Sequence, residues 1–309
     1  MKVGLYSITY LGVWYDGKGL PLEELFTQAK SYGYDGVEID GKRPHGNPLD
    51  MPSARCGELR RIARDAGIEI YAVAANNDFS SPIPEHRECQ LAYLRDLIRM
   101  TADLGAKVVR VFAAWPGVTI THSPRGGAYK FSNDIWQYTH KYCVDEEAFA
   151  WVRQCLAESA RHAGEHGVTL ALQNHPPVTH GYKDVLRLVR EVASSHLKVC
   201  LDAPLLAQVE KLSADRIVEV AREVGPLQVL SHFGGEYLRE EEDGSVQGPS
   251  YYLPFARAMR EIGYQGYIGY ELCHPLPVVD GQTVGIEYAH TNARLAQKFM
   301  RRVLRDAMA

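Results

Sequence analysis

Short runs of β-branched and apolar residues alternate eight times with amphipathic helical patterns along this chain, and that alternation leaves few architectures open. The strand candidates are residues 2–8, 35–40, 68–75, 107–114, 168–175, 197–203, 227–233 and 266–272. Between them lie helical patterns such as LEELFTQAKSYG, ELRRIARDAG, RECQLAYLRDLIRMTADLG and FAWVRQCLAESARHAGEHG, each closing on a glycine suited to the left-handed turn that stops a helix. Eight such pairs within 309 residues predict a single closed (β/α)8 barrel, a fold of about 250 residues plus insertions. A doubly wound sheet is the weaker choice. The segment after Ser7, ITYLGVWYDGKG, carries neither GxGxxG nor GxxxxGK, so the glycine-rich phosphate turn of nucleotide-binding sheets is missing.

Composition narrows the function. With 34 basic against 38 acidic residues the formal charge is −4, which supplies no field for phosphate backbones or anionic lipid. No apolar run approaches the roughly twenty residues that span a bilayer, and a cytoplasmic location is expected. The six cysteines are scattered without a CxxC pair, as buried thiols rather than a disulfide framework would be.

Two connections stand out by length. One runs from Trp115 to about Cys143 and holds Trp136, Tyr129, Phe131, Tyr138, Tyr142, His122 and His140; in a barrel it would overhang the mouth as a lid, a substrate wall or a partner-binding insertion. The other, residues 274–292, follows the eighth strand and is rich in proline and apolar residues, as a segment ordered against the rim or a partner would be. The acidic run 240–244 reads as a solvated loop tip.

The chemistry concentrates at the ends of the later strands: Gln173 and His175 in LALQNH, Asp202 in VCLDA, His232 in VLSHF and Glu271 in IGYEL. A closed barrel brings strand ends together over one axial pocket. Any one of these residues is explained by an ion pair or a core hydrogen bond, but two carboxylates ending neighbouring hydrophobic strands cost several kcal/mol unless a counter-charge is present. The set therefore reads as a divalent-metal site of Gln173, Asp202, His232 and Glu271. Its mixed, fairly hard donors suit manganese first, with magnesium, cobalt or zinc as alternatives.

GYDGVEID at the second strand, followed by Gln173, Asp202, His232 and Glu271 closing the fifth to eighth strands, resembles the xylose-isomerase-like barrels of sugar isomerases and epimerases over essentially the whole chain. The resemblance implies a metal held by Glu, Asp, His and Glu, and proton abstraction beside a sugar carbonyl. This chain departs from that pattern at one position, since Gln173 stands in ALQN where the family has glutamate. An amide offers an oxygen to a metal but cannot act as a base, so beside Glu271 a second proton carrier must be found. The candidates are His175, His140 and Glu38, histidine being suited by its pKa of about 6.5. Arg110 and Trp115 are candidates for holding sugar hydroxyls and stacking on a ring.

The runs VRVFAAWPGVT, QNH and CLDAPL further resemble the barrel subunit of C-glycoside deglycosidases. That resemblance implies a lyase that eliminates the aglycone from a 3-oxo-glucoside, paired with a small β-rich partner subunit or otherwise oligomeric. The alternatives are a keto-sugar isomerase or epimerase, a cyclitol dehydratase, or a non-catalytic sugar-binding subunit. An abasic-site endonuclease would need a basic groove and further zinc ligands, which this sequence lacks.

Overall fold

The structure is a computed structural model covering residues 1–309. Eight parallel strands close into a barrel: β1 (Lys2–Tyr6), β2 (Gly36–Asp40), β3 (Glu69–Ala74), β4 (Val108–Val111), β7 (Thr169–Gln173), β8 (Leu197–Cys200), β9 (Gln228–Gly234) and β10 (Tyr267–Glu271). Around the ring the order is β1, β10, β9, β8, β7, β4, β3, β2, so neighbours in sequence are neighbours in space and β1 closes on β10. All eight expected strands are present, seven of them a little shorter than their apolar runs and β9 of equal length but displaced by one residue.

Helices α1 (Leu22–Tyr32), α2 (Ser53–Asp65), α3 (Pro84–Asp103), α5 (Asp145–Glu165), α6 (Tyr182–Val192), α8 (Ala214–Val224), α9 (Tyr252–Glu261) and α10 (Ile286–Met308) surround the strands, with a short α7 (Ala203–Gln208) beside the mouth. Their stops follow the sequence signal. Gly33 ends α1 at φ +88°, and its N–H donates to the carbonyls of Ala29 and Lys30. No helix is long and apolar enough to cross a membrane.

Strand side chains alternate between two environments, as a pleat requires. Val37, Ile39, Val109, Val111, Leu170, Leu172 and Val199 face the helices within the main apolar core, whereas Tyr71, Ala72, Ala171, Cys200, Leu230 and Tyr267 form a separate cluster in the bore. Tyr71 and Tyr267 stack there at 4.0 Å between ring centroids. Glycines on the adjoining strands make room for them: a Cβ on Gly4 would lie 2.5 Å from the Tyr71 ring, and one on Gly269 2.5 Å from its hydroxyl.

The long insertion after the fourth barrel strand is folded. It contains a hairpin of β5 (Thr119–His122) and β6 (Arg125–Ala128), followed by α4 (Lys130–His140). Arg125 donates to the carbonyls of Tyr15 (2.9 Å) and Gly12 (2.8 Å), Tyr129 to that of Cys273 (2.8 Å), and Trp136 to Ser80 Oγ (3.1 Å). These bonds fix it across the mouth. Two expectations need correction. Residues 274–292 are not one rim segment, because a small hairpin of β11 (Val278–Val279) and β12 (Gln282–Thr283) gives way at Ile286 to α10. The cysteines are all free, but only Cys56, Cys155 and Cys200 are buried, while Cys89 is exposed on α3 and Cys143 and Cys273 are half-buried.

Since the bore cannot widen locally, Gly4→Ala is expected to lower stability by about 1–3 kcal/mol through overpacking against Tyr71. Urea unfolding would register this as a lower midpoint at unchanged slope. A wild-type midpoint would show that the bore tolerates the methyl.

Candidate active site

The inward-facing residues at the C-terminal strand ends lie in two layers, because positions i and i+2 of a strand point the same way and sit roughly 7 Å apart along it. The lower layer holds Glu38, Arg110, Gln173, Asp202, His232 and Glu271. The upper one holds Asp40, Phe112, His175 and Cys273, each two residues further along its strand direction. Hydrophobic strands thus end in polar groups that have only one another and the cavity to bond with.

In the lower layer one ion-paired chain organises the rest. The buried Arg110 guanidinium donates through Nε to Glu38 Oε1 (3.2 Å), through Nη1 to Gln173 Oε1 (2.6 Å) and through Nη2 to the Tyr6 hydroxyl (2.7 Å). The second oxygen of Glu38 accepts from His232 Nε2 at 2.7 Å. A carboxylate only accepts, so Nε2 carries the hydrogen and the Nδ1 lone pair is turned to the site. Around Nδ1 stand Asp202 Oδ2 at 3.4 Å, Glu271 Oε2 at 3.9 Å and the Gln173 amide nitrogen at 3.5 Å. Asp202 is aimed by two bonds to its Oδ1 and backbone: the His232 N–H donates to Oδ1 (2.8 Å), and the Asp202 N–H donates to Asn174 Oδ1 (2.9 Å).

This donor set fits a divalent cation at three positions. His232 Nδ1, Asp202 Oδ2 and Glu271 Oε2 converge, and Cys200 Sγ lies with Asp202 and His232 in a cluster whose ligand atoms are within 4.8 Å of one another. Gln173 differs from the expectation in its orientation. Its amide oxygen is taken by Arg110, and its NH2 donates to Asp202 Oδ2, so it presents hydrogens rather than a lone pair to the centre. Burial opposes charge on His232, yet Glu38 and Asp202 outweigh it and hold the imidazole pKa well above its ordinary value. A proton and a cation therefore compete for Nδ1.

Above this layer opens a cavity of about 470 Å³, lined among others by Trp14, Trp115, Tyr129, Asp40, Lys42 and His175. Glu271 is 23% exposed to it, and burial together with the Asp202 charge pushes its pKa up to about 7 against the pull of His232. His175 is held down to about 4, by burial first. Its Nδ1 donates to the Pro176 carbonyl at 2.5 Å, which leaves Nε2 as an acceptor, and its ring stands edge-on to Phe112 and Trp115. Trp115 in turn stacks on Phe112 at 4.9 Å.

Of the residues singled out in the sequence, Gln173, His175, Glu271, Arg110 and Trp115 line the cavity, and Asp202 and His232 lie beneath it. Two proton-carrier candidates are placed elsewhere. Glu38 is fully buried and spent on Arg110 and His232. His140 lies off the cavity, stacked on Trp136, with Nε2 on the Ser80 carbonyl (2.9 Å) and Nδ1 on that of Trp136 (2.7 Å), where it fastens α4 to the loop after β3. Sequence reasoning missed Tyr6, Asp40, Lys42 and Cys200. Asp40 and Cys200 share strand parity with the recognised Glu38 and Asp202, a signal that was available in GVEID and VCLDA.

Comparison with known proteins agrees with the barrel fold. The family model described as xylose isomerase-like TIM barrel matches residues 26–303. Fructoselysine 3-epimerase of Escherichia coli O157:H7 is 24% identical over 288 residues, 88% of this chain and 90% of the relative. Among solved structures, D-psicose 3-epimerase in the presence of D-fructose superposes with a TM-score of 0.73 at 19% identity, covering 98% of this chain and 99% of that one. The 3-keto-D-glucoside 4-epimerase of E. coli gives 0.66 at 17% identity, covering 96% and 98%.

Removing the guanidinium leaves Glu38 with His232 as its one charged partner and strips Gln173 Oε1 and the Tyr6 hydroxyl of their donor. Arg110→Met is therefore expected to cost about 3–5 kcal/mol of folding stability. Denaturant titration checks it, and a loss under about 1 kcal/mol would mean the pair is dispensable.

Proposed function

This chain belongs to the xylose isomerase-like TIM-barrel family, and from that membership we propose that it is a divalent-metal-dependent keto-sugar epimerase, inverting the carbon beside the carbonyl. The observation that carries the reading is the placing of two proton carriers in one cavity: Glu271 on β10 and His175 at the end of β7, with β9 and β8 between them in the ring. Inversion needs a proton removed on one face and returned on the other, so carriers on separate walls are what it requires. The activities by which these relatives are named, at C3 of ketoses and C4 of a 3-keto-glucoside, share the same kind of carbon and support this assignment. They favour it over the carbon–carbon cleavage that the deglycosidase resemblance implied.

The chain's own groups have distinct tasks. Glu271, whose carboxylate opens on the cavity, takes or gives the proton on one face of the carbon. His175 Nε2, unprotonated at rest and oriented by the Nδ1 bond to the Pro176 carbonyl, takes the proton from the carbon on its own face while Glu271 delivers one to the opposite face, and the two exchange roles in the reverse direction. The Trp14, Trp115 and Tyr129 side chains exclude water from the reacting carbon. A divalent cation, manganese first, would be held by His232, Asp202 and Glu271 beside Gln173, and would supply the polarisation that makes the hydrogen next to a ketone removable.

A second reading rests on Gln173, which cannot carry a proton. Elimination of an aglycone from a 3-oxo-glucoside needs one base and one acid, and it would be served by the same pair. Apolar residues exposed along one face of the insertion, Phe131, Ile135, Tyr138 and Tyr142, support assembly with another subunit or copy, and the free thiols fit a reducing cytoplasmic setting.

Incubating the Mn2+-loaded chain with D-fructose or D-psicose in D2O is expected to place deuterium on the carbon beside the ketone and to yield the epimer. Glu271→Gln should lower that exchange by about 10²–10⁴-fold. NMR that finds aglycone released from a 3-oxo-glucoside, and no epimer from any ketose, overturns the epimerase in favour of elimination. Glu38→Gln is expected to weaken Mn2+ binding by about 10–100-fold, since it loosens the orientation of His232. Calorimetry with the metal alone measures this, and an unaltered affinity would remove His232 from the ligand set.

A further inference from the structure

The cavity contains one cation that nothing above employs. Lys42 lies two residues beyond Asp40 on the loop after β2, one step further outward than the upper layer, and it lines the cavity with its side chain 29% exposed. Its ammonium is 4.0 Å from Asp40 Oδ2 and has no hydrogen-bond partner, whereas all three nitrogens of Arg110 are engaged. Lys42 and Cys273 line the same cavity.

The loop that carries it is braced. The Lys42 N–H donates to Asp40 Oδ1 (3.2 Å) and the Gly46 N–H to the Asp40 carbonyl (2.9 Å). His45 is buried, with Nε2 donating to the Leu20 carbonyl (2.9 Å) and Nδ1 accepting from Ser7 Oγ (3.0 Å), which itself accepts from the Asp40 N–H (2.8 Å). A lysine on such a base loses less freedom when it binds. Asp40 is its fixed counter-charge rather than a ligand contact, because it is fully buried with oxygens bonded to Tyr6 (2.5 Å) and Asn76 (2.9 Å).

We propose that Lys42 is a specificity-determining residue that donates hydrogen bonds to hydroxyl oxygens of a neutral sugar, at the end remote from the carbon that exchanges its proton. This rests on the epimerase reading for the placement of that carbon. Height supplies the first argument: Glu271 and His175 work two layers and one layer lower, respectively, so the part of a sugar that meets Lys42 is its far end. Charge supplies the second. Asp40, Glu236 and Glu271 in the wall, with Asp202 and Glu38 below, exceed Lys42 and Arg110 even when a bound divalent cation is added, so the cavity offers an anionic substrate no excess of positive charge and suits a polyol.

The test is calorimetric titration of D-fructose, D-psicose, D-tagatose and monodeoxy forms of D-fructose into the full-length Mn2+-loaded chain, alongside deuterium exchange on the same samples. Lys42→Met is expected to weaken binding by about tenfold, with the loss in affinity rather than in exchange rate at saturation, and Lys42→Arg to recover part of it. For one monodeoxy sugar, lacking the hydroxyl that Lys42 meets, wild type and Lys42→Met should bind alike. Equal affinity of both proteins for every sugar, an equal loss for every sugar, or failure of the wild type to bind any neutral ketose overturns the proposal. Binding with no exchange by the wild type sinks the epimerase reading instead, and the affinities still decide the role of Lys42.

Discussion

The site depends on one buried guanidinium. Arg110 is the permanent positive charge at the floor of the cavity, and without it the buried Glu38 would have only His232 to balance it. With one oxygen on Arg110, Glu38 accepts from His232 through the other, which fixes the hydrogen of His232 on Nε2 and turns Nδ1 toward Asp202 and Glu271. The same guanidinium draws the Gln173 oxygen away from that centre and, through Tyr6, bonds to the group that holds Asp40. One side chain therefore sets the orientation of three neighbours and reaches the upper layer through a fourth.

Much of this was legible in the sequence because barrel strands report their parity. Asp202, His232 and Glu271 end apolar runs, and a closed ring leaves such residues no destination but the axis. The eight strands and the glycine stops followed from period and turn chemistry in the same way. What could not be read was orientation. Whether Gln173 offers its oxygen or its nitrogen is decided by Arg110, 63 positions away in sequence, and no local pattern encodes that. His140 misled for a similar reason: an aromatic-rich insertion suggested a group over the pocket, but its Nε2 fastens α4 to the loop after β3 and its Nδ1 is taken by the Trp136 carbonyl within α4. Lys42 was overlooked because a lysine between a strand and a Pro-Gly-rich loop looks like any solvated turn.

The substitution of an amide for a carboxylate at position 173 is accommodated rather than merely tolerated. A carboxylate there would face Arg110 on one side and Asp202 on the other, attracted and repelled at once. The amide satisfies both, accepting from the guanidinium and donating to Asp202. His175, two residues along the same strand direction, brings titratable chemistry back to that wall one layer higher, where it meets the cavity rather than the ion-paired floor.

The stacked Tyr71–Tyr267 pair stoppers the lower end of the bore, and the insertion is bonded across part of the upper end. Traffic is therefore single-ended: whatever leaves the cavity must retrace the path of whatever entered, and the next molecule waits until the last has gone. In such a blind vestibule product and substrate contend for one passage, so turnover is tied to how readily the aromatic threshold of Trp14, Trp115 and Tyr129 lets go.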